Sequence, residues 1–392
     1  MSNVAGVGEL RIRIRRGVRL LMTETTSSSL SPSPYMLLPL DGIREAPARP
    51  RATRGDKIAN INLYDPVNQK RVTIADQRIP ESIYLSRNIG SSRGWMIRMS
   101  NDDLTVHLTN MFNPSAPRST HKVISLPRLV TPDISESMAT AQVCNVSLSS
   151  SPENLDEECI VAVNFKGNSV SCCRIGDSQW RHALSISDRS TCSFVFYSNK
   201  DSTFYLTPPT DTFFRKDGRE MAEPSFPFLT YFRQRRPLKH PKMGEYEFEL
   251  LRRCTRTKHL VESPSGDVFI IVYYALLTCK GKPVFPWETR DLDLDRLEVK
   301  TGTRWFMLYM HDPTTEEETY VQDNIGDLCI FIGKNEPFCV PASMCPGLKP
   351  NSIYFIEWNQ LFLYDIADQT FSRLPHDGRI SNSWIQPIVM HK

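Results

Sequence analysis

From Ile58 onward, short apolar or β-branched runs alternate with turn clusters, and the runs have the length of strands. Ile61-Asn62-Leu63-Tyr64-Asp65-Pro66 is followed by Arg71-Val72-Thr73-Ile74. Gly94-Trp95-Met96-Ile97-Arg98 leads to Val106-His107-Leu108, to the turn at Asn113-Pro114, and to Val123-Ile124-Ser125-Leu126-Pro127. Leu361-Phe362-Leu363-Tyr364-Asp365 precedes Phe371-Ser372-Arg373-Leu374-Pro375. Asx-Pro pairs start turns because proline presets φ and the Asx side chain bonds the backbone ahead of it. Further strands are predicted at Ser82–Leu85, Cys159–Phe165, Ser169–Ile175, Cys192–Tyr197, Thr203–Leu206, His259–Glu262, Val268–Leu277, Val299–Met310, Leu328–Ile332, Ile353–Glu357 and Trp384–Ile388.

Comparable turns recur at roughly 45–65 residues, near the kelch period of about 50. The pattern predicts an all-β fold, a β-propeller of kelch-like four-stranded blades over residues 58–392. Central strands buried on both faces are expected to read apolar throughout, as Ile160–Phe165, Phe269–Leu277 and Leu328–Ile332 do. Two stretches break the rhythm. The segment from Pro127 to Glu158 is rich in Ser, Pro and acids and reads as a loop between blades. The span 208–258, with Pro224, Pro227, Pro237 and Pro241 and many charges, reads as a loop-rich insertion. No helix of ordinary length is predicted in the body.

Composition fits this picture. Hydrophobic residues are 40% and charged residues 23%, which is globular and not disordered; Pro (28) exceeds Gly (18), which suits many loops. The net charge is only +3, against the cationic field that a general nucleic-acid binder needs. The excess sits at the N-terminus, where Arg11, Arg13, Arg15, Arg16 and Arg19 face only Glu9 and Glu24 within residues 1–35. The ten cysteines show no C-x-x-C spacing, and several lie in apolar strands, so they read as small hydrophobes in a reducing compartment. Asn145-Val146-Ser147 matches a glycosylation acceptor, but no secretory signal accompanies it. The apolar run from Val268 to Thr278 is too short to cross a bilayer, so no membrane insertion is expected.

Residues 1–35 read as an address. Leu10, Ile14, Val18 and Leu21 share one helical face beside Arg11, Arg15 and Arg19, and Thr23 to Ser33 is nearly all Ser and Thr up to Pro32. An Arg-rich, Ser-rich, acid-poor amphipathic segment describes an organelle transit peptide, disordered or helical, that meets the import machinery. Mitochondrion is placed ahead of plastid. The competing reading is a basic tail, or an extension ahead of Met22, on a cytosolic or nuclear protein. Residues 36–57 then read as a linker.

Candidate chemistry is sparse. Asp291, Asp293 and Asp295 alternate as on a solvated strand face, although three carboxylates suit a hard cation. Cys172 and Cys173 with His182, or Cys339 with Cys345, fall short of the four closely paired ligands of structural zinc. His107, His121 and His311 lie near turns and read as surface residues. There is no G-x-S-x-G, G-x-G-x-x-G or G-x-x-x-x-G-K-[ST] sequence. No catalytic residue, metal or cofactor is expected. The insertion holds Arg233, Arg235, Arg236, Lys239, Arg252 and Arg253 near Tyr231, Phe232, Tyr246 and Phe248, a candidate partner surface. Basic residues interleaved with aromatics also suit single-stranded RNA, which Glu245, Glu247 and Glu249 disfavour.

An ordered set of pieces resembles a known family. They are Gly94-Trp95 with Asn113-Pro114 and Leu126-Pro127; Arg174-Ile175-Gly176-Asp177-Ser178-Gln179-Trp180; and His259-Leu260-Val261-Glu262-Ser263. Then come Phe331-Ile332-Gly333-Lys334-Asn335-Glu336, Gly347-Leu348-Lys349-Pro350-Asn351-Ser352-Ile353-Tyr354-Phe355 and Trp384-Ile385-Gln386-Pro387. Together they resemble the plant propeller family catalogued as domain of unknown function 295, the KIB-type propeller best known from F-box proteins. Typical members begin with an F-box that docks the Skp subunit of a ubiquitin ligase; residues 1–57 do not look like one. A branch concentrated in the mustard family lacks the F-box and carries organelle presequences, and this chain looks like that branch. The resemblance implies a propeller and supplies no catalytic residues. The expectation is a non-enzymatic interaction module in mitochondria with an unknown protein partner. The alternatives are an F-box-less ubiquitin-ligase adapter and an organellar RNA-binding factor.

Overall fold

Consecutive stretches of chain form six sheets among the described residues, and the sheets are the blades of a β-propeller. The computed structural model describes residues 33–47, 55–129, 143–154, 156–165, 169–183, 194–207, 228–232, 244–252, 254–279, 282–283, 299–312, 315, 317–321, 323–357, 359–376 and 378–388. Blade 1 is built from β1 (Tyr35–Glu45), β2 (Lys57–Asp65) and β3 (Lys70–Ile79). Blade 2 has β4 (Ser86–Ser92), β5 (Trp95–Ser100), β6 (Thr105–Thr109) and β7 (Val123–Arg128). Blade 3 has β8 (Val143–Leu148), β9 (Ile160–Phe165), β10 (Ser169–Arg174) and β11 (Arg181–Ala183). Blade 4 pairs β12 (Val195–Ser198) with β13 (Thr203–Leu206), and β13 runs parallel to β14 (Leu229–Tyr231).

The last two blades carry an extra strand each. Blade 5 is β15 (Cys254–Glu262), β16 (Val268–Cys279), β17 (Lys282–Pro283), β18 (Val299–Asp312) and β19 (Glu317–Val321). Blade 6 is β20 (Leu328–Ile332), β21 (Phe338–Pro341), β22 (Ser352–Glu357), β23 (Gln360–Asp365) and β24 (Thr370–Leu374). Here β21 folds back along β20 on the axial side, and β22 joins β20 in parallel. The final strand, β25 (Trp384–Ile385), pairs antiparallel with β1 in the register Tyr35↔Ile385 and Met36↔Trp384. It completes blade 1 from the other end of the chain, so the ring is closed by hydrogen bonds between the two ends of the propeller. The strands nearest the axis follow one another as β25, β4, β8, β12, β15 and β21.

Between blades the core is apolar. Trp95, Ile97, Leu108, Val146, Val163 and Phe165 fill the junction of blades 2 and 3. At the junction of blades 6 and 1, Phe338, Phe331 and Tyr354 stack with centroids 5.2 and 4.8 Å apart, and Trp384 meets Phe331 edge-on at 5.1 Å. Each such side chain contributes about 1.5–3 kcal/mol by leaving water, so the blade faces supply the main cohesion. The strands expected to be apolar throughout, β9, β16 and β20, lie next to the axial strand of their blades.

Several sequence expectations need correction. Residues 36–57 are not a bare linker: β1 begins at Tyr35 and bonds both β2 and β25. Ser82–Leu85 is not a strand but part of the short helix α1 (Glu81–Tyr84), opened by Pro80, whose carbonyl accepts from Ile83 N and Tyr84 N. Proline can lead a helical turn because its missing N–H would lack a partner there anyway. The loop expected from Pro127 to Glu158 contains β8, the axial strand of blade 3. Within 208–258, β14, the eight-residue helix α2 (Glu245–Arg252) and the start of β15 are ordered elements.

Candidate functional site at the propeller axis

An axial strand has a sheet partner on one side only, so its other edge needs donors and acceptors from elsewhere. Here Ser and Asn side chains supply them, seam by seam. Asn88 Nδ2 donates to Ser381 O and Ser383 Oγ (3.2 and 3.1 Å), and Ser91 Oγ donates to Trp384 O, joining β4 to β25. Leu148 N donates to Ser92 Oγ at 3.0 Å, joining β8 to β4. Asn145 Nδ2 donates to Val195 O (2.7 Å) while its Oδ1 accepts from Val195 N (3.0 Å), a two-way clip from β8 to β12. Asn199 N donates to Glu262 Oε2 at 2.8 Å, and Cys339 Sγ donates to Glu262 O at 3.4 Å, linking blades 4, 5 and 6. Lys334 N donates to Asn382 O (2.7 Å), and Trp384 N to Asn335 Oδ1 (3.1 Å), which returns the circuit to β25.

Glu336, in the turn between β20 and β21, is the hub of this circuit. Its Oε1 accepts from Ser147 Oγ at 2.7 Å and Tyr197 N at 2.9 Å; its Oε2 meets Ser92 Oγ; its own N–H donates to Ser91 O at 2.8 Å. One side chain of blade 6 therefore touches blades 2, 3 and 4. Burial pushes its carboxyl above the usual carboxylate range, against the pull of Arg93 and of its hydrogen-bond donors. Arg93 reaches over from the β4–β5 turn. Its Nε donates to Leu148 O (2.8 Å), a terminal nitrogen donates to Asn199 Oδ1 (2.6 Å), and the guanidinium lies 5.4 Å from the Tyr197 ring centre. Arg93 has φ +50°, a left-handed conformation uncommon for a side chain of its size.

The neighbouring Gly94 (φ +79°) is packed against two other segments. A Cβ there would fall 2.5 Å from Ile388 Cγ1, 2.7 Å from Asn113 Nδ2 and 2.9 Å from Gln386 O. Asn113 Nδ2 donates to both Gly94 O and Gln386 O at 2.9 Å. Three separate pieces of the family resemblance thus meet at one point.

Most of the sequence-predicted site residues lie outside the described residues. Arg11, Arg13, Arg15, Arg16 and Arg19 lie outside the described residues, as do Arg233, Arg235, Arg236, Lys239 and Arg253. Arg252 ends α2, on whose first turn Tyr246 and Phe248 are exposed. Asp291, Asp293 and Asp295 also lie outside the described residues. Cys172 and Cys173 point to opposite faces of blade 3, into the clusters shared with blades 4 and 2 respectively. Cys339 and Cys345 likewise pack in different clusters. Burial pushes the Cys172 and Cys339 thiols up to about 12. Among the described residues, no group of three or more His, Cys, Asp or Glu is gathered as a metal would require.

His107 is not a surface residue: it is buried in β6, 3.0 Å from Ser125 Oγ. His311 is mostly covered, 3.6 Å from Glu318. Asn145 is fully buried with both ends of its amide engaged, so the glycosylation match is closed to modification in this fold. Sequence reasoning missed the hub because an acid after Gly-Lys-Asn reads as a solvated turn. Its one signal was membership of the Phe331–Glu336 piece.

The family model described as KIB1-4 beta-propeller matches residues 63–377, which takes in every blade and leaves out β1, the start of β2 and β25. A search of curated proteins gives no match. Among solved structures, the chain is similar to the Cps50 (Swd1) β-propeller domain of Myceliophteria thermophila, with 8% identity over 88% of this chain and 90% of that one (TM-score 0.30). It is also similar to PorZ of Porphyromonas gingivalis, with 8% identity over 74% and 33% (TM-score 0.24). A DUF4784 family protein from Bacteroides caccae shows 10% identity over 90% and 91% (TM-score 0.17). At such scores these likenesses say nothing about activity or partners.

Proposed function

Because the chain belongs to the KIB1-4 β-propeller family, we propose that it is a recognition module that binds a protein partner through its loops and does no chemistry at its axis. The observation that carries this reading is the engagement of Glu336. The carboxyl group best placed for axial chemistry is spent on Ser92, Ser147 and Tyr197 and feels the charge of Arg93. A group with its hydrogen-bonding capacity filled from within holds the scaffold together. Binding residues in rigid scaffolds sit mostly on loops, and the basic residues of 208–258 are the proposed contact. Mitochondrial import through residues 1–35 is part of the same proposal, supported by the arginine and serine pattern there.

The test is affinity purification of the chain and of a variant with Arg233, Arg235, Arg236, Lys239, Arg252 and Arg253 changed to Ala. The variant is expected to lose a protein recovered with the original chain. Retention of every partner would overturn the assignment of this surface. Fusions of residues 1–60 and of the full chain to a fluorescent protein report the address. Import supports the organellar reading, and a cytosolic or nuclear signal favours the adapter reading.

A further inference from the structure

Blade 2 has two unlike faces. Ile97, Met99, Val106, Leu108 and Leu126 share an apolar cluster with Val146, Val163 and Phe165 of blade 3. Side chains alternate along a strand, so Arg98, His107 and Ser125 stand on the opposite face, toward blade 1. The register sets them side by side: Arg98 of β5 opposes His107 of β6, and His107 opposes Ser125 of β7. Directly facing side chains of neighbouring strands have Cβ atoms about 5 Å apart. This row carries a cation and an imidazole at positions where the other face carries hydrocarbon.

Arg98 is only partly satisfied. Its Nε donates to Ser86 Oγ at 3.0 Å and its Nη2 to Ser86 O, so a single residue takes up these donors. The buried Phe112 ring has its centre 5.5 Å from the guanidinium. Nη1 has no partner among the described residues. No carboxylate among them comes within ion-pair reach of Arg98. Burial alone pulls the guanidinium down to about 10. A charge withdrawn from water is costly unless an opposite charge or further hydrogen bonds meet it. Asp103, in the β5–β6 turn, is the acid that His107 feels, and its carboxylate is taken up by Thr105 N and Thr105 Oγ at 3.0 and 2.7 Å.

His107 supplies a second donor beside Arg98. Its Nδ1 sits 3.0 Å from Ser125 Oγ. Burial, with the Arg98 charge adding to it, holds the imidazole below its usual value, so the ring is neutral. When the Ser125 hydroxyl donates to Nδ1, the ring proton is on Nε2. That nitrogen has no protein partner among the described residues.

We propose that Arg98 and His107 form a binding site for one oxyanion, a phosphate or a carboxylate, in the junction of blades 1 and 2. Arg98 Nη1 supplies the charge, and His107 Nε2–H supplies the second donor. Two donors on adjacent strands suit two oxygens of one such group, and charge-assisted bonds of this kind are the strong ones. Ser125, exposed on the outer strand, places one end of the row at the rim of the blade. The site draws on neither the axial hub nor the basic residues of 208–258, so it stands apart from the recognition reading above.

Side-chain 15N NMR of the intact chain, labelled at arginine and histidine, reads the site directly. Phosphate and, separately, acetate replace chloride at constant ionic strength and pH. The Arg98 and His107 signals are expected to shift saturably with at least one of the two. Tighter saturation by phosphate identifies a phosphoryl ligand, and tighter saturation by acetate identifies a carboxylate; both support the site. A linear drift with both probes overturns the proposal, as does saturation by chloride with the same midpoint. Arg98→Met is expected to abolish saturation at His107, but it also removes the bonds to Ser86. His107→Phe leaves those bonds in place. It is expected to weaken binding at Arg98 by about tenfold, the scale of one hydrogen bond to a charged group. An unchanged midpoint in folded His107→Phe overturns the two-donor site.

Discussion

The main-chain N–H of Trp384 donates to Oδ1 of Asn335 at 3.1 Å, so blade 6 lends a side chain to the strand that closes blade 1. The other end of the same amide donates to Phe331 O and Glu336 O, at 3.3 and 2.8 Å. Asn335 is 1% exposed and Trp384 is fully buried. A two-residue closing strand has little ladder of its own, and the amide of Asn335 makes up part of the shortfall.

Asn335→Ala leaves Trp384 N, Phe331 O and Glu336 O without this partner in a dry setting. Each buried group left unsatisfied costs about 1–3 kcal/mol, and the ring-closing strand bears the loss. The expected result is a fall in stability of about 3 kcal/mol or more by urea denaturation. Tryptophan fluorescence should report Trp384 becoming exposed at lower urea than the loss of β-sheet circular dichroism. Coincident transitions at the wild-type midpoint would refute the closing role.

Gly94→Ala tests the crowding at the other side of the same seam. The added methyl would sit 2.5 Å from Ile388 Cγ1 and 2.9 Å from Gln386 O, at a φ of +79°. Backbone strain at such a φ costs on the order of 1–3 kcal/mol, and the contacts add to it. The substitution is expected to loosen the segment after β25. Proteolysis near Gln386 should then be faster than in the parent chain, and an unchanged cleavage rate would show that the segment gives way freely.

The blade faces were legible in the sequence and the axis was not, for one physical reason. β9, β16 and β20 are covered on both faces, so they read as apolar runs. β4 (Ser-Arg-Asn-Ile-Gly-Ser-Ser) and β8 (Val-Cys-Asn-Val-Ser-Leu) line the axis, where Asn88, Ser91, Ser92, Asn145 and Ser147 must satisfy neighbouring blades. Polar residues chosen for that task look like loop in a hydrophobicity pattern. The family pieces fared better because they are contact points: Trp180 Nε1 donates to Pro127 O at 2.8 Å, and Lys349 N to the Tyr354 hydroxyl at 2.9 Å. Glu336 belonged to such a piece, but its role depends on Ser92, Ser147 and Tyr197, far away in the chain. No spacing rule joins those four positions.

Asn145 offers a test of the polar seams by chemistry rather than size. Its amide both donates to and accepts from Val195. Asn145→Asp keeps the shape but turns an oxygen toward Val195 O and buries a charge at a fully buried position. Asn145→Ala only deletes the two bonds, at about 1–3 kcal/mol for each group left unpaired. The aspartate is expected to be the worse variant at pH 7, and the gap should close at acidic pH as the carboxyl takes up a proton. Equal urea midpoints at pH 7 would show that the seam is wetter than its burial implies.

His259 carries the opposite pH sign to Glu336. Its ring is buried in β15, 4.3 Å from the Phe194 ring centre, and burial lowers its imidazole to about 3. The ordinary value is about 6.5, so between these two values the unfolded chain binds a proton that the fold refuses. Stability therefore falls as pH drops below about 6.5, by up to about 1.4 kcal/mol per pH unit for one proton. His259→Leu removes that proton. The variant's urea midpoint is expected to decline less steeply than the wild type's from pH 6.5 toward pH 4, whatever its offset at pH 7. Parallel profiles would mean that His259 is charged in the fold or that another group governs acid stability. Glu336→Gln, measured beside it, should instead flatten the profile as pH rises above the usual carboxylate range, since a carboxyl raised by burial stabilises the fold at low pH and loses that contribution as pH rises through its folded value.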